Sequence, residues 1–335
     1  MTTRALWGGA LAAGMLLAGC PSEDPPDPGR PAEDLAPPEE LEGVDMDLAV
    51  VEAVELLTRT TTRAPWAGHV ASLDRIGGGC PTLWEGTPSA LDGDAGDDGQ
   101  GWQDRCSSSN TLFDGAVGWE AVATPEARVV GSRNLAAAAS VTDGDSVLFS
   151  FVGEASDSLA FDNEGARWTY SSELLGEVDG IAAVDPDLAP VVGFRGGNTT
   201  TWVGGDRWSL AIDANVAFYV ERVAGVFDSV DVDMFMPGPG ADDGGCALEP
   251  HGRVSMRVTP GDWIDVAFWE PPPEGTDPDQ NSLEACDGCG TVKVRGVGLG
   301  EACPDFSSLW TAERLPSGTL DDYVLPLREQ LSEDP

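Results

Sequence analysis

Six cysteines in the body of the chain carry the strongest chemical signal in this sequence. They are Cys80, Cys106, Cys246, Cys286, Cys289 and Cys303. In an oxidising compartment an even number of cysteines predicts disulfides. The first two stand apart from the other four, so we expect them to pair and to close the acidic stretch between them. By loop entropy, a bond of this span stabilises a fold by about 3 kcal/mol.

The other four cysteines admit three disulfide connectivities. The residues after Cys289 have a strand pattern, and a turn near residues 296–298 would bring Cys289 and Cys303 to opposite strand ends. This favours Cys289–Cys303 and leaves Cys246–Cys286. Two alternatives stay open. Cys286-Asp-Gly-Cys289 has redox or zinc-knuckle spacing, and the four cysteines together could form a Cys₄ zinc site.

An acidic, glycine-rich stretch between the first two cysteines is the candidate calcium site. Its carboxylates are Asp92, Asp94, Asp97 and Asp98. Hard oxygen ligands in a flexible loop suit Ca²⁺. The stretch departs from the EF-hand pattern, because Gly96 and Gln103 stand where two of the ligands belong. The weaker candidates are Asp231, Asp233, Asp242 and Asp243. The alternative is a solvated acidic loop without an ion, so we expect either no cofactor or calcium.

The sequence contains none of the common catalytic motifs that would identify an active site. The sequence contains no Gly-x-Ser-x-Gly elbow, no His-Glu-x-x-His, no Ser-x-x-Lys and no Gly-x-x-x-x-Gly-Lys loop. Its two histidines, His69 and His251, stand in loop-like surroundings, where a histidine is seldom a base or a ligand. Acidic residues are so numerous that no glycosidase-type pair stands out. We therefore predict that the protein is not an enzyme, with an exported hydrolase that uses acidic residues as the alternative.

Tryptophan is abundant, with eleven residues against three tyrosines. An exposed ring can stack on a sugar, so the tryptophans in loop-like surroundings are candidates for glycan contact. These are Trp66, Trp84 and Trp102. The tryptophans that fall within strand patterns are expected in the core.

The first twenty residues have the pattern of an export signal. Arg4 supplies a short positive region, and the apolar run over residues 5–17 is too short to span a bilayer comfortably. The run ends in Leu17-Ala18-Gly19-Cys20. This ending resembles the lipobox of bacterial lipoproteins, in which the signal is cut before the cysteine and the cysteine is acylated. The resemblance implies a signal peptide over residues 1–19 and acyl groups such as palmitate on Cys20, which make membrane lipid a partner.

The same resemblance implies a location. Several acyl chains on one residue give a stable membrane anchor. In Gram-negative members of this family, an Asp directly after the cysteine favours retention in the inner membrane, whereas here Pro21 and Ser22 follow. We expect a lipid anchor in the cell envelope, at the outer membrane or cell surface rather than the inner membrane. An ordinary secretory signal is the alternative.

A tether and a strong negative charge come next. Residues 20–43 hold seven prolines, many acids and no aromatic residue, so they cannot form a core and are expected to be disordered.

The whole chain has 18 Lys and Arg against 58 Asp and Glu, a net charge of −40. Such a chain repels phosphate backbones, which excludes nucleic acid as a partner. With 41% hydrophobic residues, the remainder is expected to fold.

Residues 44–335 are predicted to form one β-rich domain. Val44–Thr60 has helical spacing, with Asp45 or Asp47 as its cap, and Pro65 is expected to prevent continuation. Beyond it the apolar period changes to two and short polar turns follow, which predicts antiparallel strands. The predicted strands are Thr111–Val122, Ser146–Val152, Ser158–Asp162, Arg167–Ser171, Val191–Val203, Trp208–Val220, Val226–Met234, Gly252–Val258, Trp263–Trp269 and Thr291–Val297.

The predicted fold class is mainly β. We expect a large antiparallel sheet or a two-layer sandwich with one N-terminal helix, stapled by disulfides. A subdomain break near residues 237–246 is the alternative to a single body, because Pro, Gly and Asp are concentrated there.

The cysteine spacing near the C-terminus carries a second, loose resemblance. Cys246-Ala-Leu-Glu-Pro and then Cys286-Asp-Gly-Cys289-Gly are similar in spacing to uncharacterised cysteine-containing surface lipoproteins of predatory or social Gram-negative bacteria. This likeness implies no activity. Together, the patterns predict a lipid-anchored envelope or surface lipoprotein. Its body would be a non-catalytic binding or structural module that contacts glycan, calcium or another surface protein.

Overall fold

The folded body is seen in a computed structural model. It describes residues 41–61, 64–73, 75–85, 100–124, 129–161, 167–179, 193–205, 208–219, 222–238, 250–258, 261–268 and 287–310. All of these residues belong to one compact unit, Pro37–Pro335. The signal segment 1–19, Cys20 and the tether up to residue 40 lie outside the described residues, so these assignments stay predictions.

One antiparallel sheet of fourteen strands forms the body. The strands are β1 (Thr82–Glu85), β2 (Gln100–Gln103), β3 (Cys106–Ser108), β4 (Thr111–Thr124), β5 (Val129–Asp143), β6 (Ser146–Phe161), β7 (Trp168–Asp179), β8 (Phe194–Gly204), β9 (Ser209–Phe218), β10 (Ser229–Pro237), β11 (His251–Arg257), β12 (Trp263–Phe268), β13 (Gly290–Val294) and β14 (Val297–Ala302). From β4 onwards each strand pairs with the next in sequence, while β2 joins β1 to β4 and β3 also pairs with β4. The mainly β, antiparallel fold is confirmed, as one sheet rather than a two-layer sandwich.

The sheet buries one face and leaves the other toward solvent. Along β9 the side chains of Leu210, Ile212, Ala214, Val216 and Phe218 are buried, and those between them are half-buried or exposed. This alternation is the one that the sequence predicts. Similar buried rows in the other strands join one hydrophobic core, which we assign to the inner face of the sheet. The opposite side is called the outer face.

A helical segment packs on the inner face. It consists of α1 (Met46–Glu55), a π-helix (Leu56–Thr61) and α2 (Ala64–Leu73). Asp45 caps α1 as predicted, because its Oδ1 accepts the backbone N–H of Asp47 at 3.1 Å and of Leu48 at 3.3 Å. No helix in the described part of the chain is long and apolar enough to cross a membrane.

A second helix lies where the sequence predicts only strands. Pro65 lies in the first turn of α2, where the missing N–H of a proline costs no intrahelical hydrogen bond. α2 packs against β5 and β6. Gly68 makes this approach close, because a Cβ atom there would overlap the ring of Phe149.

Strands β10 and β11 lie on either side of residues 237–246, where the alternative to a single body places a subdomain break. They pair directly, from Ser229 opposite Arg257 to Phe235 opposite His251. The strands on both sides of residues 237–246 are therefore neighbours in one sheet.

Among the described residues, two disulfides cross-link the two ends of this sheet, as predicted. Cys80–Cys106 joins the segment before β1 to β3, and Cys289–Cys303 closes the β13–β14 hairpin. The hairpin turn at Arg295 and Gly296 has φ values of 51° and 78°, the pattern of a type I′ turn. The bond at Cys289 occupies the thiol that a Cys₄ zinc site or a Cys-x-x-Cys redox pair would need.

Candidate functional site

Several of the predicted site residues lie outside the described residues. They are Cys20, Asp92, Asp94, Asp97, Asp98, Cys246 and Cys286. The acylated cysteine, the calcium site and the third disulfide therefore stay predictions. Trp84 belongs to β1, and its role in stacking likewise stays a prediction. Among the described residues, no group of three or more His, Cys, Asp and Glu side chains is placed to hold a metal ion.

The other two stacking candidates are core residues. Trp102 on β2 is 0% exposed, and its ring packs edge-on against Phe113 with 5.4 Å between the centroids. Trp66 lies on α2 and is 8% exposed. A ring with almost no exposed surface cannot stack on a sugar, so these two residues are removed from the candidate site. Their loop-like sequence surroundings are misleading because both residues belong to regular elements.

His69 is also a core residue. It lies on α2, 2% exposed, with its ring centroid 4.5 Å from that of Trp119 and 6.4 Å from that of Trp66. Neither ring nitrogen has a hydrogen-bond partner within the described part of the chain. Burial lowers the pKa of His69 from 6.5 to about 4, so the imidazole is neutral at pH 7. We assign it a packing role.

His251 lies on the outer face, beside an exposed aromatic ring. It is the Cα partner of Phe235 across β11 and β10, and the two ring centroids are 6.1 Å apart. Phe235 is 44% exposed. Strand alternation explains this exposure, because Phe235 stands between the buried Met234 and Met236 and therefore points away from the core. An apolar ring beside polar groups is the combination found in ligand sites.

Two carboxylates face each other next to this ring. Asp213 of β9 and Asp233 of β10 are Cα partners, and Thr199 of β8 is the partner of Asp213 on its other side. Both aspartates are exposed. In the described part of the chain neither has an ion-pair or hydrogen-bond partner. Like charges directly opposite one another destabilise a sheet, so this pair lowers the stability of the fold.

A third carboxylate nearby is engaged within the fold. Asp231 Oδ2 accepts a hydrogen bond from Asn215 Nδ2 at 2.7 Å, and Asp231 Oδ1 lies 3.3 Å from Arg253 Nη2. Arg253 is the Cα partner of Asp233 on β11, but its guanidinium pairs with Asp231. The oxygens of Asp213 and Asp233 are left as acceptors for a ligand.

These outer-face side chains line a shallow depression of about 340 Å³ that crosses β8 to β11. Its polar and aromatic lining consists of Thr199, Thr201, Asp213, Asp233, Phe235 and His251. We call it the β8–β11 depression. Two of these six residues are candidates from the sequence, His251 as a base or ligand and Asp233 as a weaker calcium ligand. Alternation places Asp213 on the outer face, but only the strand order shows that it meets Asp233.

A separate polar cluster is buried on the inner face of β6, β7 and β8. Its members, each at most 3% exposed, are Asp157, Ser172, Asn198 and Thr200. The Tyr170 hydroxyl donates to Asp157 Oδ2 at 3.2 Å, and Asn198 Nδ2 donates to the carbonyl of Leu57 in the π-helix at 2.8 Å. The second bond fixes the helical segment to the sheet. We therefore assign this cluster to the core rather than to a ligand site.

Comparison with known proteins finds no protein-family model, no curated protein and no solved structure that matches this chain. The assignment of a function therefore depends on the chemistry of the β8–β11 depression. Carboxylates accept hydrogen bonds from hydroxyl groups, threonine hydroxyls both donate and accept, and a phenyl ring offers an apolar surface. This set of groups suits a ligand with many hydroxyls and an apolar C–H face.

Proposed function

We propose that this protein is a lipid-anchored protein of the bacterial cell envelope, displayed at the outer membrane or cell surface, whose body is a non-catalytic glycan-binding module. The observation that carries the binding function is the pair of Asp213 and Asp233 beside the exposed ring of Phe235. A sugar presents hydroxyls to the carboxylates and C–H groups to the ring. The lipobox-like ending at Cys20 supports the anchor, and the two disulfides support an oxidising compartment.

The arrangement of the carboxylates favours binding over hydrolysis. Glycosidases place two carboxyl groups on either side of the scissile bond. Asp213 and Asp233 are instead neighbours on one face of a continuous sheet, so both approach a ligand from the same side. This geometry suits hydrogen bonding to adjacent hydroxyls.

Glycan arrays probed with the full-length protein in detergent micelles test the binding function. We expect wild type to bind a limited set of glycans. Phe235→Ala should weaken that binding by about tenfold, the effect of losing a central aromatic contact. Tyr219→Ala is the matched control, because Tyr219 is 52% exposed but does not line the depression. Each array is run with calcium and with a chelator, since calcium is the one predicted cofactor.

Three outcomes of the arrays would contradict the proposal. These are the absence of glycan binding, an equal loss in Phe235→Ala and Tyr219→Ala, and cleavage of a bound glycan detected by mass spectrometry. The last outcome would favour the hydrolase.

Metabolic labelling with an alkyne analogue of palmitate tests the anchor. Wild type should incorporate the label and fractionate with outer membranes on a density gradient. Cys20→Ser should lose the label and leave the membrane fraction, whereas Ser22→Ala should behave as wild type. Label that persists in Cys20→Ser would show that the anchor is elsewhere. A wild-type protein found only in soluble fractions would favour the ordinary secretory signal.

A further inference from the structure

A second depression on the outer face, across β6 to β8, combines exposed aliphatic and charged side chains. It measures about 480 Å³ and is lined by the side chains of Ser150, Val152, Leu175, Glu177, Asp179 and Arg195. The backbone of Gly176 and Gly196 completes its lining. It shares no lining residue with the β8–β11 depression. We call it the β6–β8 depression.

The apolar centre of this surface is formed by two neighbouring side chains. Val152 is 58% exposed and Leu175 is 63% exposed. Val152 of β6 pairs with Glu177 of β7, and Leu175 of β7 pairs with Glu154 of β6. Val152 and Leu175 therefore lie on one diagonal of the same face, within reach of each other. Burying both against a partner would remove a large apolar surface from water.

Acidic side chains surround this apolar centre. The exposed carboxylates on β6 and β7 are Glu154, Glu173, Glu177 and Asp179. Arg195, the Cα partner of Glu177 on β8, is the single cation among the residues that line the depression. With a net charge of −40 on the whole chain, the field over this surface is negative. The surface thus has an apolar centre and a mainly acidic rim.

Tyr219 extends the surface beyond β8. Its side chain is 52% exposed. Its backbone N–H donates to the carbonyl of Gly193 at 2.6 Å, which places Tyr219 beside β8 near Arg195. Burial raises the pKa of the Tyr219 hydroxyl, while Arg195 lowers it and Glu177 raises it. Tyrosine and arginine are enriched at protein interfaces, where they form the anchors of the contact.

The sheet topology decides which kind of segment can dock here. β6, β7 and β8 are each paired along both edges, so their backbones offer no free edge to an added strand. A sheet face accepts a helix whose apolar stripe lies on it. The acidic rim requires positive charge beside that stripe.

We propose that the β6–β8 depression docks a protein partner through an amphipathic, positively charged helix. An aliphatic side chain of the helix fills the space between Val152 and Leu175, and Lys or Arg side chains meet Glu177 and Asp179. Arg195 orients the helix by selecting an acidic side chain at one position. This function goes beyond glycan binding, because it uses other residues and another class of ligand.

A synthetic helix provides a defined probe. It is about 18 residues long, with leucines along one face and lysines on the other. The protein is the chain from residue 20 to residue 335 with Cys20→Ser, which needs no detergent and contains the whole compact unit Pro37–Pro335. Binding is measured by fluorescence anisotropy at low and at physiological salt.

We expect the Leu/Lys helix to bind, more tightly at low salt. A peptide of equal charge with serine in place of leucine should bind at least about tenfold more weakly, as should the Leu/Lys helix to Leu175→Asp. Leu48→Asp is the matched control, because Leu48 is 65% exposed but lies on α1. It should change the affinity by less than about twofold. Circular dichroism establishes that both variants are folded.

The remaining outcomes would overturn the proposal. No binding of the Leu/Lys helix, equal binding of the serine peptide, or an unchanged affinity in Leu175→Asp would each show that the depression docks no such helix. A dimer in sedimentation that Leu175→Asp abolishes would make a second copy of the chain the occupant. Phe235→Ala should leave peptide binding intact, so a failure of the glycan proposal is recognised separately.

Discussion

Gly176 of β7 and Gly196 of β8 lie directly opposite each other, and neither position has room for a side chain. A Cβ atom on Gly196 would lie 2.9 Å from the Cα atom of Val216, and one on Gly176 would lie 2.9 Å from the Cα atom of Gly153. Their φ values are 149° and 157°, a region that L residues rarely adopt. The close approach of β7 to β6 at Gly176, and of β8 to β9 at Gly196, therefore depends on glycine.

Gly196→Ala should destabilise the protein strongly. The added methyl group meets backbone atoms of β9 and forces an unfavourable φ, so we expect a loss of about 2 kcal/mol or more in the free energy of unfolding. Gly197→Ala is the matched control on the same strand, because its nearest neighbour would be Leu175 Cδ1 at an ordinary 3.6 Å. Urea unfolding measures both variants. Equal losses would show that the close approach is not the cause.

The stability of the protein should fall in mild acid because of His69. Its pKa is lowered from 6.5 in the unfolded chain to about 4 in the fold, so between these values only the unfolded chain binds the proton. This contribution is complete above pH 6.5 and is lost as the pH falls toward 4. It amounts to about 3 kcal/mol.

The pH effect is measured by urea unfolding of wild type and His69→Phe, which fills a similar volume but does not titrate. The many carboxylates affect both proteins alike, so the difference between the two curves isolates the histidine. Wild type should lose about 3 kcal/mol relative to the variant between pH 7 and pH 4. Parallel curves would mean that His69 is protonated within the fold.

Much of the fold follows from local sequence patterns. Alternation predicts which face of β9 is buried, from Leu210 to Phe218. The turn predicted near residues 296–298 indicates the hairpin that brings Cys289 to Cys303. These features depend only on residues close in sequence. A short-range pattern is therefore sufficient to predict them.

Features that depend on distant partners were not predictable. The centre of β5 is four alanines, Ala136–Ala139, which favour a helix by propensity. Pairing with β4 and β6 overrides that propensity, and small inward side chains suit a strand against which α2 packs. The meeting of Asp213 with Asp233 likewise requires the strand order. Local propensity predicts neither the strand conformation of β5 nor the meeting of Asp213 with Asp233.

Removal of the Cys289–Cys303 disulfide should loosen one edge of the sheet. The bond closes a sequence separation of 14 residues, for which loop entropy predicts a stabilisation of about 3 kcal/mol. The double variant Cys289→Ala, Cys303→Ala should lose about this amount in urea, with the largest increase in amide exchange in β13 and β14. Thr291→Ala, on the exposed side of β13, is the control. Uniformly faster exchange would show that the bond stabilises the whole sheet.

Neutralising one carboxylate of the β8–β11 depression should stabilise the fold while weakening glycan binding. Asp213 and Asp233 are directly opposite like charges, so Asp213→Asn should raise the free energy of unfolding by a few tenths of a kcal/mol at low salt. The gain should shrink as salt screens the repulsion. Asp265→Asn is the control, because Asp265 accepts a hydrogen bond from Ser255 within the fold. This variant should be less stable than wild type. A loss of stability in Asp213→Asn would contradict the repulsion.

Asn198 should hold the helical segment on the sheet. Its Nδ2 donates to the carbonyl of Leu57, and Asn198 is 1% exposed, so Asn198→Ala removes a buried hydrogen bond. Such a loss costs about 1–3 kcal/mol. Thr201→Ala is the control, because Thr201 stands on the same strand but on the outer face. The loss should appear in urea unfolding, with a larger increase in amide exchange in α1 and the π-helix than in β10 to β12. A loss of stability without this local change would mean that the helical segment is held by its apolar contacts alone.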